Sequence, residues 1–321
     1  MINPINSNLY KQKSKKYLIK LLHIYNKNFL NQKYISKQIS PFILTIPKPR
    51  LIEAPSAELK KIQRGIKKEL DKIIIPSNIF SGVKGKSYIN NAEFHKGNNY
   101  LYKIDLTAFF PNIHRNTVFN FFINKLETSP DIANILTNLL TVDLSQCSII
   151  DEISVKQFII DKKIETTNHL ISGSPASPIL SYLVNYEMFD ALQFLCDKNN
   201  IKMSVYVDDI TFSSSHKISY KTKENIKNII KKYMYKISNS KVKYYTKNYP
   251  KLVTGTIISS NGELKIKNEL SLKIKKEWNH FRKNPQDLQS KKRLLGLINA
   301  AHQIESKKFE YILKFINKMC K

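Results

Sequence analysis

Between Met203 and Ser213 the chain reads Met-Ser-Val-Tyr-Val-Asp-Asp-Ile-Thr-Phe-Ser. Two apolar arms flank an acidic pair, a pattern that predicts a β-hairpin with Asp208 and Asp209 at its tip. Such a hairpin is a rigid mount, because its arms stay buried while the tip presents side chains. Two adjacent acids repel, so they need a cation or an unusual proton. Taken alone, an Asp-Asp pair reads as an ordinary turn. A second predicted strand, Tyr100 to Leu106, carries Asp105 near its end, where a buried acid is costly without a partner. If the two strands are neighbours in one sheet, three carboxylates converge. Hard oxygen ligands of this kind suit Mg²⁺, which keeps waters and takes further ligands from substrate phosphates. Two such ions about 4 Å apart activate an attacking hydroxyl and stabilise the leaving oxygen. That is the chemistry of phosphodiester synthesis with pyrophosphate as leaving group.

Charge narrows the partner. The 321 residues include 53 Lys and Arg against 25 Asp and Glu, a net +28, with a pI near 9.8. This excess points to nucleic acid first and an anionic membrane surface second. An AT-rich genome would also enrich Lys, Ile and Asn, but it does not explain the scarcity of acids. A hydrophobic content of 42% fits a globular protein. Cys147, Cys196 and Cys320 are too far apart for a local zinc motif and read as buried thiols of a reducing cytosol. The first twenty residues lack the apolar run of a signal peptide, and no stretch of about 18 apolar residues predicts a membrane span.

The remaining pattern predicts an α+β chain with interleaved elements and no clean linker. Tyr17, Leu18, Leu21, Leu22 and Tyr25 recur at helical spacing within residues 8–45, before Pro47 and Pro49 break the chain. A helix is expected over 57–75, ended by Pro76, and others over 116–140 and 178–197. Val253 to Ile258 reads as one strand. The last fifty residues read as basic helices, with Leu270, Ile274 and Trp278 at four-residue steps. Lys-rich helices at 217–236 and 265–293 are expected to track a nucleic-acid backbone, with Tyr233, Trp278 and Phe281 stacking on bases.

Asp105 followed by Phe109-Phe110-Pro111, then Gly173-Ser174-Pro175-Ala176-Ser177-Pro178, then Tyr206-Val207-Asp208-Asp209, resemble in that order the three central palm motifs of reverse transcriptases. The resemblance covers about residues 48–300. Asn91-Ala92-Glu93-Phe94-His95 is similar to the Asn-Ala-x-x-His motif of bacterial retron reverse transcriptases. Val253-Thr254-Gly255 is similar to their Val-Thr-Gly motif. The resemblance implies a right-hand polymerase: an N-terminal helical extension (1–39), fingers (40–99 and 116–165), palm (100–115 and 166–258) and helical thumb (259–321).

It also implies roles. Asp105 and Asp208 bind two Mg²⁺ ions, with Asp209 supporting and the Leu106 carbonyl adding a ligand. Phe110 is the gate that rejects a 2′-OH. Phe109 and Phe110, read as adjacent strand residues, face opposite ways, one into the core and one into the site. Gly173 lets the backbone approach the incoming nucleotide and template. Lys48 and Arg50 hold the triphosphate, Arg50 being the better phosphate fork. Lys241 stands where a late palm lysine helps protonate pyrophosphate. Asn91, His95, Val253, Thr254 and Gly255 lie at nucleic acid, although His95 has an equal claim to a structural role and Thr254-Gly255 also fits an ordinary strand bend. Ser172 departs from the family's glutamine and shortens a contact near template or primer. His114, His169, His216, His280 and His302 show no ligand spacing and receive no role.

The implied partners are dNTPs and a cognate non-coding RNA that is both template and primer. The DNA product would be branched from an internal 2′-OH. Such systems resemble phage-defence modules in which the complex restrains an effector protein. Two alternatives stay open: another bacterial reverse transcriptase, intron-derived or of abortive-infection type, and a non-catalytic RNA-binding scaffold with a polymerase fold.

Overall fold

The structure is a computed structural model that describes residues 2–46, 48–149 and 151–318. Eleven strands form four antiparallel sheets among helices, an α+β arrangement. The strands are β1 (Ile39–Leu44), β2 (Arg50–Pro55), β3 (Tyr100–Asp105), β4 (Thr141–Asp143), β5 (Asn168–Leu170), β6 (Lys202–Tyr206), β7 (Asp209–Ser214), β8 (Lys243–Tyr245), β9 (Lys251–Val253), β10 (Thr256–Ile258) and β11 (Leu264–Ile266). The central sheet has the order β6-β7-β3-β8. Two-stranded sheets β1-β2 and β4-β5 and a three-stranded sheet β11-β10-β9 surround it.

Alternation along the central strands divides that sheet into two faces. Tyr102 and Ile104 on β3 stand opposite Phe212 and Ile210 on β7, and Val205 on β6 stands opposite Ile210. All five are buried in the main hydrophobic core. The other face carries Leu101, Lys103 and Asp105 on β3 opposite Ser213, Thr211 and Asp209 on β7. A one-residue slip would exchange the faces, so the apolar set also fixes where the acids lie.

Several predicted elements are shorter or broken. The helix Ala57–Leu70 buries Leu59, Ile62, Ile66 and Leu70, but stops with Asp71 at its C-cap, before Pro76. Residues 116–140 are two segments: the first helical run ends at Lys125, Glu127 takes φ +50°, and the helix Pro130–Leu140 follows. The 178–197 helix breaks at Asn185, whose amide bonds back to the Ser181 carbonyl. In the N-terminal region the helix is only Lys15–Leu21; Leu18 and Leu22 are buried, whereas Tyr17 and Tyr25 are exposed. Val253 to Ile258 is two strands around a turn. Residues 264–266 are strand, paired with β10, before the helix Asn268–Lys283 begins.

The C-terminal helices Asn268–Lys283, Leu288–His302 and Glu310–Lys318 enclose a core of their own, including Ile274, Trp278, Leu294, Ile298 and Ile312. Trp278 and Phe281 are buried in it, with the Phe315 ring edge-on to Trp278 at 4.9 Å. Neither ring is therefore free to stack on bases, contrary to expectation, and Tyr233 is half-buried against the main core. Cys196 is buried and Cys147 half-buried; burial pushes both thiols up to about 12. Cys320, like Pro47, lies outside the described residues. Among the described residues no helix is long and apolar enough to cross a membrane.

Candidate active site

The antiparallel register sets Asp105 directly opposite Asp209, on one face of the sheet. Directly opposed residues lie about 5 Å apart at Cβ. β6 and β7 pair through Tyr206 and Asp209, leaving Val207-Asp208 as a two-residue turn. The Asp208 carbonyl accepts from the Leu106 amide at 2.9 Å, which ties the turn to the end of β3. The three carboxylates expected from the sequence are thus brought together at the end of two neighbouring strands. Val207 has φ +58°, the position that a two-residue turn with one left-handed residue normally gives to glycine. A β-branched residue there costs about 1–3 kcal/mol, strain of a kind that persists only where surrounding structure enforces it.

The site holds more acid than its neighbours neutralise. Lys103 Nζ pairs with Asp209 Oδ2 at 2.6 Å, and Lys241 Nζ with Asp105 Oδ1 at 2.6 Å. The carboxylates of Asp105 and Asp209 are only 14% and 15% exposed. Burial, then the charge of Asp105, pushes Asp208 up to about 6. Burial also raises Asp209, against the opposing pull of Lys103. Asp209 Oδ1 is buried without a hydrogen-bonding partner among the described residues. An orphaned carboxylate oxygen in a site where Asp208 and Asp209 are both raised fits a hard divalent cation. No closed group of three His, Cys, Asp or Glu ligands exists among the described residues. Two of the three acids point at lysines instead, so the donor set is an open one.

Phe109 and Phe110 lie in a turn and short 3₁₀ segment past β3, not in the strand itself. Phe109 is buried against Tyr235, with ring centroids 5.3 Å apart, and Phe110 is half-buried. Ala108 takes φ +46°, and the Asn112 amide donates to the carbonyls of Thr107 and Ala108, holding this turn beside Asp105. The signal for Asn112 was visible only as a polar residue after proline.

Lys48 and Arg50 are exposed, Arg50 at the start of β2. The inner face of the same strand carries Glu53, 0% exposed. Glu53 Oε1 lies 2.6 Å from His169 Nε2, and Oε2 accepts from the Ser172 amide at 2.7 Å. Burial pulls the His169 imidazole down, but the charge and hydrogen bond of Glu53 outweigh it and leave the ring raised. The Ser172 hydroxyl accepts from the Glu53 amide and donates to the Leu51 carbonyl. A Cβ on Gly173 would stand 2.2 Å from the Glu53 carbonyl oxygen. Gly173 is therefore required by the close approach of β2, where the sequence suggested a nucleotide. Glu53 and His169 are 116 residues apart, and no local pattern in the sequence joins them.

The two short motifs meet each other. Asn91, in the helix Tyr88–Phe94, donates to Thr254 Oγ1 at 3.2 Å, and that hydroxyl donates to the Tyr88 carbonyl. Thr254 and Gly255, at φ +42° and +102°, form the two-residue turn between β9 and β10. Asn91 and Val253 are fully buried, so their side chains build this junction and do not reach a ligand surface. Thr254 and Gly255 remain partly exposed. His95 is likewise 0% exposed, between Ser213 and Ser204, each 2.7 Å from a ring nitrogen. Burial, then Lys202, lowers it to about 3, so it is a neutral, enclosed bridge between β6 and β7.

Residues 35–311 match the family described as reverse transcriptase (RNA-dependent DNA polymerase). The chain belongs to the reverse transcriptase family, the RNA-directed DNA polymerases, enzymes that generally work with divalent metal ions. Within that family its resemblance is to bacterial retron reverse transcriptases. It is 27% identical over 264 residues to the Retron Ec83 reverse transcriptase of Escherichia coli, an alignment covering 80% of this chain and 79% of that protein. It is 25% identical over 273 residues to the Retron Ec86 reverse transcriptase of the same species, covering 84% and 76%. A third relative, the Retron Se72 reverse transcriptase of Salmonella heidelberg (strain 579083-10), is 27% identical over 184 residues, 56% of this chain and 41% of that protein.

Proposed function

We propose that this protein copies a cognate structured RNA into DNA from dNTPs, using two Mg²⁺ ions at Asp105 and Asp208. The observation that carries the proposal is the Asp105–Asp209 register, which sets three acids at one end of a rigid sheet. Bound Mg²⁺ would lower the charge on the attacking and leaving oxygens. Asp105 and Asp208, with the Leu106 carbonyl, would hold it, and Asp209 would support them from its pairing with Lys103. Lys241, which pairs with Asp105, would give a proton to the departing pyrophosphate. Phe110 closes on the sugar and excludes a 2′-OH by bulk. Lys48 and Arg50 hold the triphosphate from the β1–β2 hairpin.

In this proposal the central sheet with Gly173 is the palm, residues 40–99 and 116–165 are fingers, and 259–321 are the thumb, preceded at the other end by the 1–39 extension. The retron relatives support a further step. The RNA primes synthesis from its own 2′-OH and yields a branched RNA-linked DNA in the cytoplasm. That complex serves anti-phage defence by restraining an effector protein. The exposed lysines of Tyr220–Lys232 and Asn268–Lys283 track the backbone.

The test is dNTP incorporation on an RNA template by the wild type and by Asp208→Asn with Asp209→Asn. Synthesis lost with RNA binding retained supports the proposal. A wild type that incorporates nothing makes the protein an RNA-binding scaffold. Sequencing of the bound DNA separates the retron type, which gives a branched product on one small RNA, from intron-derived or abortive-infection enzymes.

A further inference from the structure

The β1–β2 hairpin belongs to neither of the larger sheets. One edge of β2 pairs with β1; at the other stands the Ser172 side chain. The Ser172 hydroxyl takes both the Glu53 amide and the Leu51 carbonyl, at 3.1 and 3.2 Å, as a neighbouring strand would. The Glu53 carboxylate returns the contact, accepting from the Ser172 amide at 2.7 Å and meeting His169 at 2.6 Å. His169 Nδ1 lies 3.0 Å from the Thr166 carbonyl, which only accepts, so this nitrogen carries the proton and the ring is fixed at both ends. Glu53 and His169 are both fully buried, and Gly173 leaves no gap between the segments. Arg50 is three residues from Glu53 on the same strand, about 10 Å along it.

We propose that Glu53, His169 and Ser172 are positioning residues that hold the Arg50-bearing strand in register with the Ser172–Gly173 turn, and so set the affinity for the incoming dNTP. This rests on the polymerase function proposed above. None of the three touches the nucleotide; each acts through β2. The serine at 172 is what makes the clamp, since its short hydroxyl reaches a backbone amide and carbonyl at once. Glu53→Gln keeps the geometry: its amide oxygen accepts from the Ser172 amide, and with the carboxylate charge gone the buried His169 is neutral, so its Nε2 accepts from the new NH₂. Glu53→Ala and Ser172→Ala do not.

The experiment is burst and steady-state dNTP incorporation by the full chain on an RNA template, with rates expressed per active site. Glu53→Ala and Ser172→Ala should each raise KM for dNTP by about tenfold or more, with kcat within about threefold of wild type. Glu53→Gln should keep KM within about threefold. Simple misfolding lowers the active fraction and leaves the KM of the remainder unchanged, so it does not imitate this result. Unchanged KM in both alanine variants overturns the inference, as does a Glu53→Gln variant as impaired as Glu53→Ala. A wild type without activity on any template removes the polymerase function and this inference together. An active wild type with unmoved KM removes the inference alone.

Discussion

His95 makes stability depend on pH in a way that can be isolated. Ser213 Oγ accepts from the Asn98 amide at 2.7 Å, and the neutral His95 ring bridges Ser213 and Ser204, one ring nitrogen donating and the other accepting. Protonating this ring would place a charge among buried hydroxyls, with Lys202 as the nearby charge that acts on it. The imidazole is held near 3 in the fold against 6.5 for an ordinary histidine. Because the folded value is the lower one, the stabilisation is complete above 6.5 and is lost as pH falls from there toward 3. Between pH 8 and pH 5 the loss is about 2 kcal/mol, on the way to about 5 kcal/mol at full protonation. Asp208 runs the other way: raised to about 6, it favours the fold as pH drops through that value. Only a difference between proteins therefore isolates the histidine. His95→Gln, which does not titrate, should be less stable than wild type at pH 8 by about 1–3 kcal/mol. That gap should narrow by about 2 kcal/mol at pH 5. Urea unfolding followed by far-UV circular dichroism measures it; fluorescence of the single tryptophan would report on the separate C-terminal core. A gap constant across this range, or an imidazole that titrates near 6.5 in the folded protein, would refute the reasoning.

Three further outcomes are expected. Phe110→Ala should raise ribonucleotide relative to deoxynucleotide incorporation by about tenfold or more in single-nucleotide assays; an unmoved ratio would assign the gate to another side chain. Gly173→Ala should cost about 3 kcal/mol in urea unfolding, because the clash is with the Glu53 backbone and no side-chain rotation relieves it; a variant as stable as wild type would contradict the packing. RNA affinity should fall at least about tenfold between 50 and 200 mM salt, and a flat dependence would dissociate the Lys-rich helices from backbone contact.

What could be read from the sequence was whatever is written locally. The Asp208-Asp209 hairpin and the Asp105 strand follow from alternation over a few residues, and their pairing places the acids as expected. The β1–β2 hairpin is not legible, because the two prolines after β1 read as a break in the chain. The three residues of β11 carry too little periodicity to be told from the helix that follows. Glu53 and His169 meet across more than a hundred residues, and an isolated histidine has no pattern. Asn91 and Thr254 each belong to a legible motif, but only the fold shows that one hydrogen-bonds the other.

Val207 links two properties that are usually separable. The turn carrying Asp208 sits in a conformation its own residue type disfavours, and the β3–β7 and β6–β7 ladders hold it there. Substitutions deep in that sheet that weaken pairing slightly will be felt first at the turn, as slower synthesis in a protein that is still folded. Tolerance to mutation is therefore narrower for the strands of this sheet than their distance from the carboxylates suggests. Under selection for activity, drift in the chain should collect in the outer helices before it reaches those strands.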